Sequence, residues 1–582
     1  MSDPPGRARA TLLTRVAPRW AVGYDRSWLR DDLLAGGTVA VMLIPQAMAY
    51  AALAGVPPVA GLYAALVALV VYAAVGTSSH LSFGPVAIVS LLTAAVIEPL
   101  AAGDPGRALA LAGLLALLVG AIHLLLGLLR AGAVVTLISH PVIVGFTAAA
   151  ALVIGLSQVR DLLGVDAPRT DRVVDAVRIA IEAFPATHLL TAAIAGLAIA
   201  GLVLGKRLAP RFPTALTISA LAVVATVVFG LEGRGVAIVG EIPAGPPRPA
   251  LAGLHLDDVV PLLAPAAIIA LISYAESISI ARAIAARTRE RLDANRELIA
   301  SGVANLAVGG TGGHPVAGSF TRTAVTHDAG ARTQLAGLVA AGIVLLTITL
   351  LTSVLEPLPR AILAAIVILA VVGLIDVRGA VRTFRIDRRD GVVLVTTFAA
   401  TLLLGVELGL LIGVAANLVI HVAGGMRPAL VELGRVVGTR TYRNVARFPA
   451  ITDQNGAILR LDGPLDFLSV THVTRTLREI SAQRPQLRWL ILDASACTDL
   501  DSTGVHELHA LQEDLAEADV ELHLTTVRGP LRDVIDRAGL WSALIEGTTH
   551  PDIATALDRL GVPEDAPVRV PGDDEEAPHG LL

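Results

Sequence analysis

The chain has 582 residues, 54% of them hydrophobic and only 16% formally charged, with a mean hydropathy of +0.69. An ordinary soluble protein carries nearer a quarter charged residues, so that class is excluded, while the net charge of −5 excludes little by itself. Cys497 is the sole cysteine, which rules out an intrachain disulfide framework.

The first 32 residues are polar and arginine-rich (Arg7, Arg9, Arg15, Arg19, Arg26, Arg30) and lack an apolar core. They are expected to form a cytoplasmic arm (1–30) and not a cleavable signal peptide. From Leu33 to Ile97 there is no charged residue at all. About 20 residues cross the hydrocarbon core, so this run must be several segments. Pro57–Pro58 and "GTSSHLSFGP" (76–85) divide it into three, at about 33–54, 59–75 and 85–98. Apolar runs continue at about 107–130, 140–158, 188–205 and 213–230. A second series occupies about 260–281, 295–312, 318–329, 334–354, 359–375, 390–405 and 407–425. The sum is about fourteen spans, two of them short.

Basic residues concentrate in the arm, in "GKRLAPRF" (205–212), in "ARAIAARTRERLDANRE" (281–297) and in "DVRGAVRTFRIDRRD" (376–390). With fourteen spans all four face the cytoplasm, and the positive-inside rule is met with both termini inside. The two series begin about 230 residues apart, as do the short third segments at Gly84 and Gly318. Seven is odd, so the halves (about 31–231 and 260–427) are repeats of opposite topology within a transmembrane domain over 31–427. Short Gly/Pro-interrupted segments at matching positions of two halves mark a transporter's binding site.

From about 438 strands alternate with amphipathic helices: "GAILRLDGPLDF" (456–467), "LRWLILDA" (487–494) and "VELHLTTV" (520–527), with helical patterns at 469–483 and 505–518. This reads as a small cytoplasmic α/β domain over 438–562. The acidic, Pro/Gly-rich tail at 563–582 is expected to be disordered.

"GSFTRTAV" (318–325) sets Arg322 beside a stretch, 298–321, that is free of charge. An arginine at mid-bilayer depth costs roughly 2.5–3.5 kcal/mol on the mildest insertion scale. Ser319 can cap a half-helix there, and "SFGPVAIVS" offers the same arrangement, with Pro85 at a helix start and Ser82 as cap. Two half-helix N-termini aimed at the midplane, with one arginine, make an anion site. The competing reading is a snorkelling or structural arginine. Glu276, in "LISYAESISIARA" (271–283), is a candidate proton relay, set against a structural partnership with Arg322. Gln46, in "IPQAMAY" (44–50), can donate to an anion's oxygens. His123 and His314 are read as packed or capping residues, since no partner ligands stand at helical spacing. There is no Walker motif, catalytic triad or zinc pattern. Neither an enzyme, a cofactor, a metal site nor a nucleic-acid partner is expected.

"DLLAGGTVAVMLIPQAMAYAALAGVPPVAGLYAAL", "SHPVIVGFTAAAALVIGLSQV", "DANRELIASGVANLAVGG", "PVAGSFTRTAVTHDAGARTQLAGLV" and "LPRAILAAIVILAVVGLIDV" closely resemble the sulphate permease family. The C-terminal part resembles a STAS domain, and together the likeness covers Asp31 to about Leu560. The resemblance implies a polytopic α-helical protein of two inverted repeats of seven, with core and gate domains and a STAS domain, usually a homodimer. It implies an anion site between the third and tenth segments. Gln46 and Tyr50 would be first-segment substrate contacts, Thr321 the hydroxyl facing the anion and Arg322 the basic residue beside it. Phe83, Gly84 and Pro85, and opposite them Gly318, Ser319 and Phe320, would form the facing half-helix starts. Glu276 falls where sodium-coupled relatives carry Asp, with a hydroxyl residue four positions on. Here that position is Ile280, which favours protons over sodium. Ser502 lies where related antagonist proteins are phosphorylated, the plainer alternative being that Asp501 or Ser502 caps a helix. The expectation is thus a secondary active transporter of a small anion (sulphate, bicarbonate or dicarboxylate) in the cell membrane, proton-coupled, its STAS domain open to a cytoplasmic partner. The alternatives are an anion-binding sensor and a nucleobase permease of the same fold.

Overall fold

The computed structural model describes residues 19–21, 24–132, 139–166, 173–209, 213–247, 256–290, 292–539, 548–562 and 568–569. The chain forms two compact units, Met1–Asn417 and Leu418–Leu582.

Fourteen helices account for the fourteen expected spans. The first seven are α1 (Leu29–Leu53), α2 (Pro58–Val75), α3 (Ala87–Ala101), α4 (Pro105–Leu128), α5 (His140–Ser157), α6 (Leu189–Leu208) and α7 (Thr214–Phe229). The second seven are α8 (Val259–Thr288), α9 (Ala294–Gly310), α10 (Phe320–Asp328), α11 (Leu335–Leu350), α12 (Arg360–Val372), α13 (Arg388–Leu404) and α14 (Val406–Gly425). The breakers act as sequence chemistry requires. Pro58 and Pro105 open helices at a position where a missing N–H costs nothing.

The packing has the symmetry of two repeats. α1 lies against α11 as α8 lies against α4, and α4 lies against α9 as α11 lies against α2. α5 packs on α13 as α12 packs on α6, while α2 meets its own counterpart α9. Ion pairs repeat the relation: Arg332 before α11 reaches Asp31 of α1 at 3.5 Å, and Arg107 of α4 reaches Asp258 before α8 at 2.9 Å. The α4–α9 contact is the tightest for a simple reason. Gly113 and Gly120 on α4 face Gly309 and Gly302 on α9, and a Cβ on Gly120 would lie 2.6 Å from the Leu306 nitrogen. Seven-residue spacing of glycine keeps one backbone seam in register with the other, as membrane helices without a hydrophobic driving force need.

The two short helices start where the chain crosses itself. Strand β1 (Phe83–Gly84) pairs antiparallel with β2 (Ala317–Gly318), Phe83 opposite Gly318 and Gly84 opposite Ala317. α3 departs from one strand and α10 from the other.

The second unit holds a six-stranded sheet. Its strands are β3 (Ala429–Arg435), β4 (Tyr442–Asn444), β6 (Gly456–Asp462), β7 (Trp489–Asp493), β8 (Glu521–Thr525) and β9 (Thr549–His550), in the order β4-β3-β6-β7-β8-β9. β6 to β9 run parallel, and β3 joins antiparallel. The first strand begins upstream of residue 438, where the composition changes. Helices α15 (Val470–Gln483), α16 (Ser502–Glu517), α17 (Gly529–Arg537) and α18 (Ile553–Arg559) complete the unit. The fully buried β7, "WLILD", has the continuous apolar pattern of a parallel strand covered on both faces. Most of the 563–582 tail lies outside the described residues; of it, Val568–Arg569 (β10) pairs with Thr452–Asp453 (β5).

Candidate functional site

The crossing of β1 and β2 brings together residues that lie more than two hundred positions apart in sequence. Ser319 donates its N–H to the Ser82 carbonyl at 3.0 Å, extending the two-stranded pairing to the foot of α10. As the sequence predicts, the Ser319 side chain caps α10, accepting from the Arg322 N–H at 3.5 Å. The other half differs. α3 begins at Ala87, two residues beyond Pro85, and its cap position, Val86, supplies no side-chain bond. Ser82 therefore does not cap α3; it accepts from Nε of Arg322 at 3.3 Å, and its own N–H is held by Thr323 Oγ1 at 3.0 Å. The physical reason is distance along the chain: β1 intervenes between Ser82 and the helix start.

Arg322 is wholly buried. Its Nη1 donates to the Pro85 carbonyl at 2.9 Å, so the guanidinium spans from α10 to the entrance of α3. Nη2 has no hydrogen-bond partner, and no carboxylate lies within ion-pair distance of this arginine among the described residues. A Cβ on Gly84 would come 3.2 Å from that Nη2, so glycine keeps the space beside it open. A buried cation thus stands at the end of α3 that begins without a side-chain cap, where the helix dipole is also positive.

The remaining expected residues fall around this junction. Phe320 and Thr321 are exposed on the first turn of α10, with the Thr321 hydroxyl 3.3 Å from that of Ser319. Gly318 donates its N–H to Ser277 Oγ of α8 at 2.8 Å. The residue before Ser277 is Glu276, whose Oε2 is buried without a partner. Glu276, Tyr50 and Arg322 interact electrostatically with one another. Gln46, one turn before Tyr50 on α1, likewise has a buried, unpartnered Oε1. Phe83 stacks its ring on Tyr72, centroids 5.2 Å apart, so what it offers the junction is its backbone. Ser502 opens α16 and is exposed, while the cap is Asp501: its Oδ1 accepts from Gly504 and its Oδ2 from Phe467. His123 and His314 are buried, against the Ala270 carbonyl and Ser90 respectively. No cluster of metal-ligating side chains occurs among the described residues.

Asn305 escaped the sequence reading. It lies fully buried on α9 and clamps Val316, just ahead of β2, accepting from its N–H at 2.9 Å and donating to its carbonyl at 3.1 Å. A lone amide inside an uncharged span was the signal available. Asn305→Ala leaves both Val316 backbone groups unpaired, each at a cost of about 1–3 kcal/mol. The expected outcome is a lower melting temperature together with a raised KM for the transported anion; an unchanged KM in folded protein would separate Asn305 from the site.

The profile of the sulfate permease family matches residues 29–397, and that of the STAS domain residues 448–556. The chain belongs to the sulfate permease family. It is 36% identical over 552 residues to a probable sulfate transporter of Mycobacterium tuberculosis, covering 94% of this chain and 98% of that one. It is 35% identical over 540 residues to sulfate transporter 4.1, chloroplastic, of Arabidopsis thaliana, covering 90% of this chain and 79% of the relative. Among solved structures, the murine solute carrier 26 family member A9 anion transporter in its inward-facing state superposes with a TM-score of 0.88 at 24% identity, over 95% of each chain. The transmembrane domain of a cyanobacterial bicarbonate transporter gives 0.57 at 25% identity, over 67% of this permease and 98% of that domain. The permease is therefore a multi-pass membrane protein for anion transport, with a C-terminal STAS domain, and not an enzyme.

Proposed function

We propose that this permease is a secondary active transporter of a small oxyanion, with sulfate the first candidate, and that protons drive it through Glu276. The observation that carries the reading is Arg322: buried, held by Ser82 and Pro85, with no carboxylate in ion-pair distance among the described residues and with one nitrogen unpartnered at the meeting of two half-helices. The exposed first turn of α10 provides the approach. Gln46 and Tyr50 complete the site from α1, and alternating access exposes it to either side. The same reading takes the protein as a homodimer of the plasma membrane with both termini in the cytoplasm, an orientation that the distribution of basic segments supports. The protein's likeness to sulfate transporters of Mycobacterium tuberculosis and Arabidopsis thaliana supports sulfate over bicarbonate.

The test is uptake of labelled sulfate, bicarbonate and fumarate into proteoliposomes, with and without an inward proton gradient. Sulfate is expected to accumulate, and the accumulation to collapse with the gradient. Saturable anion binding with no flux would overturn transport in favour of an anion sensor.

A further inference from the structure

Between α12 and α13 the basic stretch of the sequence folds as a ten-residue helix, Val377–Ile386. It has three distinct faces. Gly379, Ala380 and the buried Thr383 turn toward the protein, where the helix packs on α13 and α5. Val377, Val381 and Phe384, at i, i+4 and i+7, form an apolar stripe that stays 65%, 46% and 40% exposed. Arg378, Arg382 and Arg385 form the next stripe, all exposed, and Arg388 and Arg389 follow at the start of α13. None of these five arginines has a carboxylate within ion-pair distance among the described residues. The nearby Asp376 and Asp387 are engaged instead as caps, accepting from Gly379 and Arg389 N–H groups at 2.8 Å each.

The helix is tethered closely to both neighbours. Four residues (373–376) join it to α12 and one, Asp387, to α13, a reach of roughly 14 Å on the longer side. Its counterpart in the first repeat, Val173–Ala183 between α5 and α6, makes an informative contrast. That helix also exposes an apolar stripe, Val174, Val177 and Ile181 at 64%, 40% and 68%. Its one arginine, however, is neutralised: Arg178 pairs with Asp175 at 3.6 Å and Glu182 at 4.0 Å. Both helices are amphipathic, and only the second carries unpaired positive charge.

We propose that Val377–Ile386 lies in the membrane interface, with the Val377–Val381–Phe384 stripe at the acyl boundary and its arginines on the headgroups of anionic phospholipids. An apolar stripe flanked by unpaired arginines is the composition that such a surface selects. Each arginine near an anionic leaflet is worth roughly fivefold in partition. The lipid-bound helix anchors α12 and α13 to the bilayer, giving the rest of the transmembrane unit a fixed reference. Assignment to the cytoplasmic leaflet rests on the proposed topology; contact with anionic lipid does not, and it is independent of the anion carried.

Val381→Cys in a Cys497→Ser background, labelled with a nitroxide, reports the position of the stripe. Cys497 is the sole native thiol, so the Cys497→Ser background leaves the label a single site. The full-length protein is placed in vesicles of phosphatidylcholine, with or without an equal part of phosphatidylglycerol. The label is expected to collide with oxygen in preference to a water-soluble nickel chelate, and phosphatidylglycerol should lower nickel access by at least about twofold. Replacing Arg378, Arg382 and Arg385 together by Gln should abolish that lipid dependence. A label freely reached by nickel in both vesicles would overturn the proposal, because the stripe would then face water or a displaceable segment. Insensitivity to phosphatidylglycerol in the arginine-intact protein would overturn the headgroup part on its own, whether or not the triple variant folds.

Discussion

Replacing Arg322 with alanine is expected to cut anion uptake by roughly 10- to 150-fold, the equivalent of one charge-assisted hydrogen bond of about 1.5–3 kcal/mol. The loss should appear chiefly in KM. Arg322 does two things at once: it ties α10 to the α3 entrance through Ser82 and Pro85, and it presents an unpartnered nitrogen next to Gly84. Alanine removes both, so a second variant is needed to separate them. Arg322→Lys keeps the charge but replaces the planar fork with a point donor that cannot hold the Ser82 hydroxyl and the Pro85 carbonyl in the same geometry. It should retain binding with a weakened site. Ser82→Ala should cost less than either, since the Nη1 bond to Pro85 survives. The measurement is initial-rate uptake in proteoliposomes, normalised to protein that elutes as a single folded peak. Wild-type KM in folded Arg322→Ala protein would make the arginine a structural bracket and leave the half-helix N–H groups to hold the anion alone.

Much of this architecture could be read from the sequence because the membrane simplifies the signal. A charge-free run from Leu33 to Ile97 admits few foldings, and proline pairs and glycine clusters mark its divisions. The Ser319 cap was legible because a cap and its helix are neighbours. The partner of Ser82 was not, because the residue it meets lies 240 positions away. Local pattern favours a local role, and the crossing of β1 with β2 overrode it. Asn305 was hidden for the same reason: its purpose is a backbone eleven residues on, beyond the end of its own helix. The strand β3, "ALVELGR", was missed because it is only partly buried and follows closely on the end of a membrane helix. The Val377–Ile386 helix was visible only as a count of arginines. Its apolar stripe was present at helical spacing, but charge density drew the reading toward topology and away from amphipathicity.

The symmetry of the fold narrows what Glu276 can be. α8, which carries it, is the counterpart of α1, which carries Gln46 and Tyr50, so both helices bring polar side chains to the same crossing from opposite repeats. One position along, Ser277 holds the Gly318 N–H. Glu276 thus lies next in the chain to the residue that holds the strand from which α10 starts. Ile280, one turn further on, is buried and apolar. It supplies no oxygen for a sodium ion, which needs several.

On that basis Glu276→Gln is expected to abolish concentrative uptake while sparing affinity. Glutamine keeps the size and hydrogen-bonding reach of the carboxyl and removes its proton exchange. A bound anion and a proton on Glu276 offset one another's charge beside Arg322, so by linkage each favours the other's binding. Wild-type uptake should therefore rise as the external pH falls, until Glu276 is fully protonated at the outer face. In the variant, which is permanently neutral, the pH dependence should flatten and the inside-to-outside ratio should settle near unity. KM should change by less than about threefold, well below the tenfold that 1.4 kcal/mol represents. Replacing sodium by choline should change neither protein. Gradient-driven accumulation that survives in Glu276→Gln would remove this carboxylate from the coupling path. A dependence on sodium in the wild type would mean that oxygens other than those at Glu276 and its neighbours hold a cation, and the proton assignment would fall with it.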